Sequence, residues 1–415
     1  MKRILPLILC LVAAVACDNT KDDPALKELQ EQENEFSVYT DKAQRQLTPE
    51  QTAMMAPLAD FSFQFMKGLA GQFPDNDLCC SPLSAAYLLG MLGEGADGQT
   101  ATEIYKALGI TDRADLNQLC LNLMTIIQGI DPKVSVHIAN AGVVDNSFLL
   151  LKDYREALKG WYDANVVNMN FTDEKLVLSY INGWVNRHTQ GMIDKILEKV
   201  SEDAVAYFLN ALYFKGDWRK PFEEYATYKQ SFYGKQEKEV DMMHASEHFS
   251  YAKNSSFQMV RLPFAGGNFN MDILLPAGNV DAFLTSLNAD AWKQAVGTLV
   301  DSPVRLSLPK FEINFFKSLK PLLKGMGIQA AFERDADFSR MSTKQVFVSE
   351  IMQKARIKVN EQGAEAAAVT IAQMGETAIM PGPEWIDFKA DRPFVYILSE
   401  KTTGAILFTG CFRGE

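Results

Sequence analysis

Residues 361–370 read EQGAEAAAVT and residues 371–380 read IAQMGETAIM, a stretch unlike any other in this sequence of 415 residues. In an extended strand, alternate side chains share one face of the sheet. One such face holds only small residues: Ala364, Ala366, Ala368, Thr370 and Ala372. These could enter a filled sheet interior without overpacking it, and the absence of proline keeps every backbone donor. The stretch predicts a segment that lies outside a sheet in one state and inside it in another, with an Ala-rich helix or a flexible linker as the alternative.

The flanking residues also support a switch segment. Val346–Asn360 alternates well enough for a long strand, Pro381, Gly382 and Pro383 end the stretch, and the next strand-like run begins near Ile386. About 20 residues without a clear helix or strand inside a compact body are usually functional or disordered.

The rest of the chain predicts an α+β fold. Residues from about 49 to 200 are mainly helix-patterned, and strand-like runs dominate from residue 204 onward. Helices first and strands later favour segregated helices and sheets. Because no Pro/Gly-rich linker follows residue 50, we expect a single domain over residues 48–415.

Several motifs, taken in order, resemble those of the serpin family over about residues 50 to 413. The motifs are Ser81-Pro82-Leu83-Ser84 with GADGQT at 95–100, INGWV at 181–185, LNALYFKGDW at 209–218, LPKF at 308–311, ADFS at 336–339 and FKADRPF at 388–394. EQGAEAAAVT is similar to the hinge of that family's reactive loop.

The resemblance implies a serpin fold with three β-sheets, eight to nine helices and an exposed reactive loop. It also implies a suicide inhibitor of endopeptidases and not an enzyme: a protease cleaves the loop, becomes acylated, and is trapped when the hinge inserts into the central sheet. The hinge residues carried over are Glu361, Gly363, Ala364, Glu365, Ala366, Ala367, Ala368 and Thr370. The alternative is a serpin-fold binding or carrier protein that no longer inhibits.

In the family, the reactive bond usually follows the seventeenth residue counted from the hinge Glu. That count places the bond between Thr377 and Ala378, with Met374–Gly375 and Met380 as alternatives. The bait residue before this bond is small or medium-sized and no Arg or Lys lies in residues 361–385, so we expect an elastase-like or subtilisin-like target. For the family mechanism as a whole, the resemblance implies serine endopeptidases, with cysteine endopeptidases as a further class.

The resemblance also implies a polar group beneath the opening strands. Five residues are carried over to it: Ser81, Ser84, Trp184, Asn210 and Gln353. Serpins typically have His where this chain has Gln353, and a Gln can still donate to Asn210 and to one of the two serines. We therefore expect no histidine-based pH dependence at this point.

The first 17 residues resemble a secretory signal. Lys2 and Arg3 precede an apolar run that ends in Ala14-Val15-Ala16-Cys17, which is similar to a bacterial lipobox with Cys17 as the lipidated residue. An ordinary signal peptide is the alternative. We expect residues 1–16 to be a signal peptide and residues 17–47 a flexible tether. The protein would then be exported as an outer-membrane lipoprotein, surface-exposed or periplasmic, with membrane contact only through the lipid.

Composition excludes several other classes. The chain is 47% hydrophobic and carries a net charge of −11, which argues against a nucleic-acid partner. The four cysteines after the signal, Cys79, Cys80, Cys120 and Cys411, lack disulfide or metal spacing, and we expect them to be buried small hydrophobes. His244 and His248 lie in strand-like surroundings, so no metal site is expected. We expect a monomer with no cofactor.

Overall fold

The computed structural model describes residues 24–34, 46–364 and 384–415. These residues contain ten α-helices: α1 (Pro24–Asn34), α2 (Pro49–Gln72), α3 (Pro82–Gly95), α4 (Gly98–Leu108), α5 (Arg113–Gly129), α6 (Lys152–Tyr162), α7 (Glu174–His188), α8 (Val280–Ser286), α9 (Ala289–Gly297) and α10 (Lys320–Gly325). Two 3₁₀ helices cover Glu224–Ala226 and Ala330–Phe332. No helix in the described ranges is long and apolar enough to cross a membrane.

The same ranges contain fifteen strands, several of them in the half predicted to be mainly helical. They are β1 (Leu78–Cys80), β2 (Val134–Asp145), β3 (Ala164–Met169), β4 (Ala206–Asp217), β5 (Thr227–Tyr233), β6 (Glu237–Lys253), β7 (Phe257–Pro263), β8 (Phe269–Pro276), β9 (Val300–Pro309), β10 (Phe311–Ser318), β11 (Met352–Val359), β12 (Gly363–Ala364), β13 (Ile386–Lys389), β14 (Phe394–Glu400) and β15 (Ile406–Phe412).

The strands form two hydrogen-bonded sheets. One has six strands in the order β10-β11-β12-β4-β2-β3; the other has nine, in the order β1-β15-β14-β8-β7-β6-β9-β13, with β5 paired to β6. The predicted α+β class is confirmed. The predicted count of three sheets differs because the 17-residue strand β6 pairs with β5, β7 and β9 and joins two parts of the larger sheet.

Helix α3 lies in the middle of the molecule, and every residue from Pro82 to Gly95 is buried. Ser81 caps it by accepting a hydrogen bond from the Ser84 N–H at 3.2 Å, and Pro82 occupies the first turn, where its missing N–H costs nothing. This cap fixes Ser81 and Ser84 directly behind the six-stranded sheet.

Helix α7 covers the opposite face of that sheet. A second apolar cluster lies between them, formed by side chains of β2, β3, β4 and α7, with Val177, Tyr180 and Trp184 among the fully buried members. Helix α1 adds Leu26, which is only 6% exposed, to this cluster. Helix α1 falls within residues 17–47, which were predicted to be a flexible tether, so part of that segment is helical and packed on the domain.

Strand β11 begins at Met352, six residues later than the predicted strand Val346–Asn360. The residues before Met352 pair outside the sheet: the Val348 N–H donates to the Ala331 carbonyl at 2.8 Å, and the Leu319 N–H donates to the Ile351 carbonyl at 2.7 Å. These contacts satisfy the Val348 N–H and the Ile351 carbonyl outside the sheet.

The four described cysteines are free and buried, as predicted. Burial raises the pKa of the Cys79, Cys120 and Cys411 thiols to about 12, so they remain uncharged.

Candidate functional site

The middle of the six-stranded sheet contains a two-residue strand between two long ones. Gly363 and Ala364 run antiparallel to β4, with Gly363 opposite Asp217 and Ala364 opposite Gly216. Ala364 also lies opposite Val359 of β11, again antiparallel. Strands β4 and β11 are therefore parallel to each other and are held apart by one strand width at this end, which we call the hinge end.

Close backbone approach explains the glycine at the start of this short strand. A Cβ atom on Gly363 would lie 2.1 Å from the Gly216 carbonyl oxygen and 2.7 Å from the Asp217 Cα. Both are backbone atoms that cannot swing aside. Only glycine fits there without moving β4. Ala364, which follows, is 3% exposed and belongs to the main core.

Backbone and indole groups after β4 hold the residues before Gly363. The Trp218 N–H donates to the Gln362 carbonyl at 2.7 Å, and its indole N–H donates to the Asn360 carbonyl at 2.9 Å. The Phe222 N–H donates to the Glu361 carbonyl at 2.8 Å. Three consecutive residues, 360 to 362, are thus tied to the segment that leaves β4, which fixes the register of the hinge end.

The Glu361 side chain forms an ion pair with Lys310, Oε2 to Nζ, at 3.0 Å. Burial would raise the pKa of this carboxyl, but hydrogen bonds from its own backbone N–H and from Lys310 outweigh burial and lower the pKa below its ordinary value of 4.5. Glu361 is therefore ionised at neutral pH while only 7% of the residue is exposed.

Below the hinge end, β4 and β11 no longer share a partner strand. The described residues leave a cavity of about 490 Å³ between the first halves of these strands. We call this region the open half; its walls are residues 203–212 and 346–355, with Ser81 and Ser84 behind and Ile181 and Val185 of α7 in front.

The predicted polar residues behind the open half form two separate groups. Gln353 exchanges two hydrogen bonds with the backbone of Ser81: its amide donates to the carbonyl at 2.8 Å and its oxygen accepts from the N–H at 3.1 Å. The Ser84 hydroxyl donates to Asn210, whose amide donates to Asn140 at 2.8 Å. The bond expected from Gln353 to Asn210 is replaced by the second bond to Ser81.

Trp184 does not join these groups. It lies on α7 within the second apolar cluster, 1% exposed, with its ring centroid 4.5 Å from that of His188. Burial, and then the charge of Arg187, lower the pKa of His188 to about 4, so the stacked pair is neutral at physiological pH. Trp184 therefore packs α7 against the six-stranded sheet.

The structure brings together Glu361, Gly363 and Ala364 at the hinge end and four of the five polar residues behind the open half. The remaining predicted positions lie outside the described residues: Cys17, Glu365, Ala366, Ala367, Ala368, Thr370, Thr377 and Ala378.

Sequence reasoning gave no role to three residues that hold the hinge: Trp218, Lys310 and Asn360. The Asn360 side chain accepts from the N–H groups of Gln362 and Gly363 at 3.0 and 3.1 Å and closes a tight turn. Trp218 ends the motif LNALYFKGDW and Lys310 lies within the motif LPKF, so both residues stood in segments that the sequence singled out. Their partners, however, are 142 and 51 positions away in the sequence.

Comparison with known proteins agrees with this geometry. The family model described as serpin (serine protease inhibitor) matches residues 56–413. Iripin-2 of Ixodes ricinus is 31% identical over 352 residues, covering 81% of this chain and 87% of that protein. Intracellular coagulation inhibitor 2 of Tachypleus tridentatus is 29% identical, covering 91% and 94%.

Solved structures show the same fold. The thermophilic serpin tengpin in its native state superposes with a TM-score of 0.80 at 27% identity, covering 89% of this chain and 95% of that one. Human thyroxine-binding globulin superposes with a TM-score of 0.80 at 25% identity, covering 88% and 100%. With most of its length matched by the family model, this chain belongs to the serpin family.

Proposed function

We propose that this protein is an inhibitory serpin, which traps an endopeptidase by inserting its cleaved loop between β4 and β11. The observation that carries the proposal is the hinge end, where Gly363 and Ala364 pair with β4 and Ala364 also pairs with β11, while the open half below has no partner strand among the described residues. Serpins in general are protease inhibitors, and the relatives include a protein named as a coagulation inhibitor.

The register supports insertion over a longer distance. Continuing antiparallel from Ala364, Thr370 would arrive opposite Asn210, six residues before Gly216, and opposite Gln353, six residues before Val359. Ala364 faces the main core, so Ala366, Ala368 and Thr370 would face it too. Small side chains on that face would fit against the packed core without overpacking it. The Thr370 hydroxyl would reach the polar residues behind the open half.

The chemical step is an interrupted acyl transfer. The protease nucleophile would attack the carbonyl carbon of Thr377, the bond to the Ala378 nitrogen would break, and the new amino terminus would leave with a proton. An ester or thioester would then link Thr377 to the protease. Insertion of the freed strand gains backbone pairing along the open half and carries the acylated protease away from its leaving group.

The test is a panel of pancreatic elastase, subtilisin and trypsin mixed with the full chain. We expect a covalent complex, stable in SDS, with elastase or subtilisin and not with trypsin, and a large rise in the melting temperature of the cleaved chain. Mass spectrometry of the released carboxyl-terminal peptide should place the cut between Thr377 and Ala378. Cleavage without a complex and without the thermal shift would contradict inhibition.

A second candidate is a binding or carrier protein of the same fold. The superposition on thyroxine-binding globulin, solved with a bound ligand, favours it. The thermal shift separates the two candidates. A carrier whose open half does not accept the cleaved loop would melt at the same temperature before and after cleavage.

We further propose that the protein is exported and held at a membrane by a lipid on Cys17. The support is the sequence of residues 1–17 alone. Replacing Cys17 with Ser should release the protein from the membrane fraction in its native host, and an unchanged membrane fraction would contradict the anchor.

A further inference from the structure

Two lysines face each other across the gap between β4 and β11, one position beyond the short strand β12. Lys215 precedes Gly216 in β4, and Lys358 precedes Val359 in β11. Gly216 and Val359 are the residues that lie opposite Ala364. Because Val359 faces the main core and alternate residues of a strand face opposite sides, both lysines lie on the face of the sheet that carries α7. Neither of them forms an ion pair with a described residue.

On the β11 side, the carboxylate opposite Lys358 is engaged elsewhere. Lys358 is exposed and lies opposite Glu312 of β10. The Glu312 Oε1, however, accepts a hydrogen bond from Arg356 Nε at 2.9 Å and forms an ion pair with that guanidinium. The charge of Arg356 is therefore balanced, and that of Lys358 is not.

On the β4 side, the surroundings of Lys215 also leave an excess of positive charge. Lys215 lies opposite Ser135 of β2, and the residues two positions to either side of Ser135, Lys133 and His137, add no negative charge. Asp217, two positions along β4, is exposed and forms no ion pair among the described residues. One aspartate cannot neutralise all of these lysines, so the position between β4 and β11 at this level favours a negative charge.

The residue that would enter this position is Glu365, which follows Ala364 directly and lies outside the described residues. Continuing the antiparallel register by one residue brings Glu365 opposite Lys215 and Lys358 at once. Ala364 faces the core, so Glu365 would face the same side as the lysines. Neighbouring strands lie about 4.8 Å apart and directly opposite Cβ atoms about 5 Å apart, so both ammonium groups could reach one carboxylate.

The later loop residues on this face are apolar, and so are their partners on β4. Ala367, Val369 and Ile371 would lie opposite Tyr213, Ala211 and Leu209. A slip of two residues in one direction would place Glu365 opposite Asp217, a like charge. The opposite slip would place it beside Tyr213 and Arg356, whose charge Glu312 already balances. A slip of one residue would turn every side chain to the other face. Only one register therefore places the loop carboxylate between the two unpaired lysines.

We propose that Lys215 and Lys358 are positioning residues for loop insertion, which together bind the Glu365 carboxylate as the first residue beyond β12 enters the sheet. The inference rests on the proposed function and adds to it the contact that starts insertion. Like charges that face each other across strands are unfavourable, and the carboxylate would replace this repulsion with two attractions. Because hydrolysis of the acyl-enzyme competes with insertion, a favoured first step increases the fraction of protease that is trapped.

The test is a double-mutant cycle on the chain after loop cleavage by elastase or subtilisin. The variants are Glu365→Gln, the pair Lys215→Gln with Lys358→Gln, and all three substitutions together. The measured quantity is the melting temperature at a fixed urea concentration. We expect Glu365→Gln and the lysine pair each to lower it, and the triple variant to melt no lower than Glu365→Gln, because the lysines then have no carboxylate to bind. Before cleavage, all variants should melt like wild type.

The ratio of covalent complex to cleaved chain gives a second readout with the same proteases. We expect this ratio to fall about threefold in Glu365→Gln and in the lysine pair at low ionic strength, a factor typical of exposed ion pairs. The loss should shrink at about 1 M salt, where the Debye length is about 3 Å. The rate of the first cleavage should not change. Lys253→Gln is the matched control, since Lys253 is an exposed lysine at the end of β6 in the larger sheet.

Charge reversal separates binding of the carboxylate from a structural role of the lysines. Glu365→Lys should lose more complex than Glu365→Gln. Adding Lys215→Glu and Lys358→Glu to Glu365→Lys should recover part of that loss, which lysines that merely support the fold would not allow.

Additive effects in the cycle would overturn the proposal, and so would an equal loss of melting temperature before cleavage. The outcome for the proposed function is read separately on wild type. A thermal shift after cleavage without any covalent complex would reject inhibition, and the cycle would still decide the role of the lysines. Wild type without a thermal shift would reject insertion, and this proposal with it.

Discussion

The two ends of the gap between β4 and β11 differ in how their backbone groups are satisfied. At the hinge end both strands pair with the short strand β12, β4 through Gly363 and Ala364 and β11 through Ala364, and Trp218 fixes the preceding residues. In the open half the same two strands have no such partner among the described residues, and their side chains bond backwards to α3 and β2. The facing edges of β4 and β11 are thus paired at the hinge end and have no partner strand along the open half among the described residues. An unfinished pair of edges is a template for a further strand.

Under the proposed inhibitory function, this difference assigns separate roles to the two ends of the gap. The hinge end holds the first two residues of an additional strand in register, so the proposed insertion would start from residues that are already paired. The open half supplies the unpaired edges whose completion would release free energy. Changes at the hinge end should therefore act on whether insertion proceeds, and changes behind the open half should act on the stability of the uncleaved fold.

The largest expected effect comes from blocking the hinge end with Ala364→Arg. Ala364 is 3% exposed and faces the main core, where a guanidinium would be buried without a partner. We expect covalent complex formation to fall about 100-fold or more, the factor that roughly 3 kcal/mol gives. Loop cleavage itself should continue, since the reactive bond is unchanged, and the thermal shift after cleavage should disappear.

Ala364→Ser is the control, because a hydroxyl adds little volume at this position. It should form complexes at close to the wild-type level in the same gel assay. If the Arg variant also trapped the protease normally, insertion would not pass through the β12 position, and the contrast between the two ends would have no functional meaning.

A smaller effect is expected from Gln353→Ala behind the open half. The substitution removes both hydrogen bonds to Ser81 and leaves a buried N–H without a partner, which costs about 1–3 kcal/mol. The midpoint of urea unfolding of the uncleaved chain should fall accordingly, while the fraction of cleaved chain found in complex should change little. Gln353→His retains hydrogen-bonding capacity and should recover part of the loss. An unaltered midpoint for the Ala variant would show that this pair does not support the open half.

The sequence predicted the α+β class and the serpin fold, because these depend on composition and on motifs in order. Of the small-residue face of the hinge, only Ala364 lies within the described residues. The sequence did not predict which distant residues hold the hinge. Trp218 was part of a quoted motif, yet its bond to Asn360 follows from strand register. Trp184 was grouped with the polar residues because its motif resembles the family's, whereas only the packing of α7 shows its place.

Part of the predicted flexible tether is helical, and the sequence missed this helix for a related reason. Its polar composition favours a flexible segment, but Leu26 and Leu29 are three residues apart and form a short apolar stripe on one helical face. Such a stripe is too small to be decisive in the sequence. It becomes stable only because α7 presents an apolar surface on which Leu26 can be buried.

The smallest expected effect is the pH dependence of the Glu361–Lys310 pair at the hinge end. Because the pKa of Glu361 is lowered in the folded protein, its contribution to stability is fully present above its ordinary value of 4.5 and is lost as the pH falls through the lower folded value. Lys310 is 39% exposed, so solvent screens the pair and we expect less than about 1 kcal/mol at neutral pH. The measurement is the difference in urea midpoint between wild type and Glu361→Gln, followed from pH 7 downward. This difference should be constant above about pH 5 and should shrink below 4.5, since wild type then carries the same neutral side chain as the variant.

Lys310→Met should shift the onset toward higher pH by removing one cause of the lowered pKa. A difference that stays constant to pH 3 would mean that the carboxylate does not help to hold the hinge, and the backbone bonds from Trp218 and Phe222 would then account for its register.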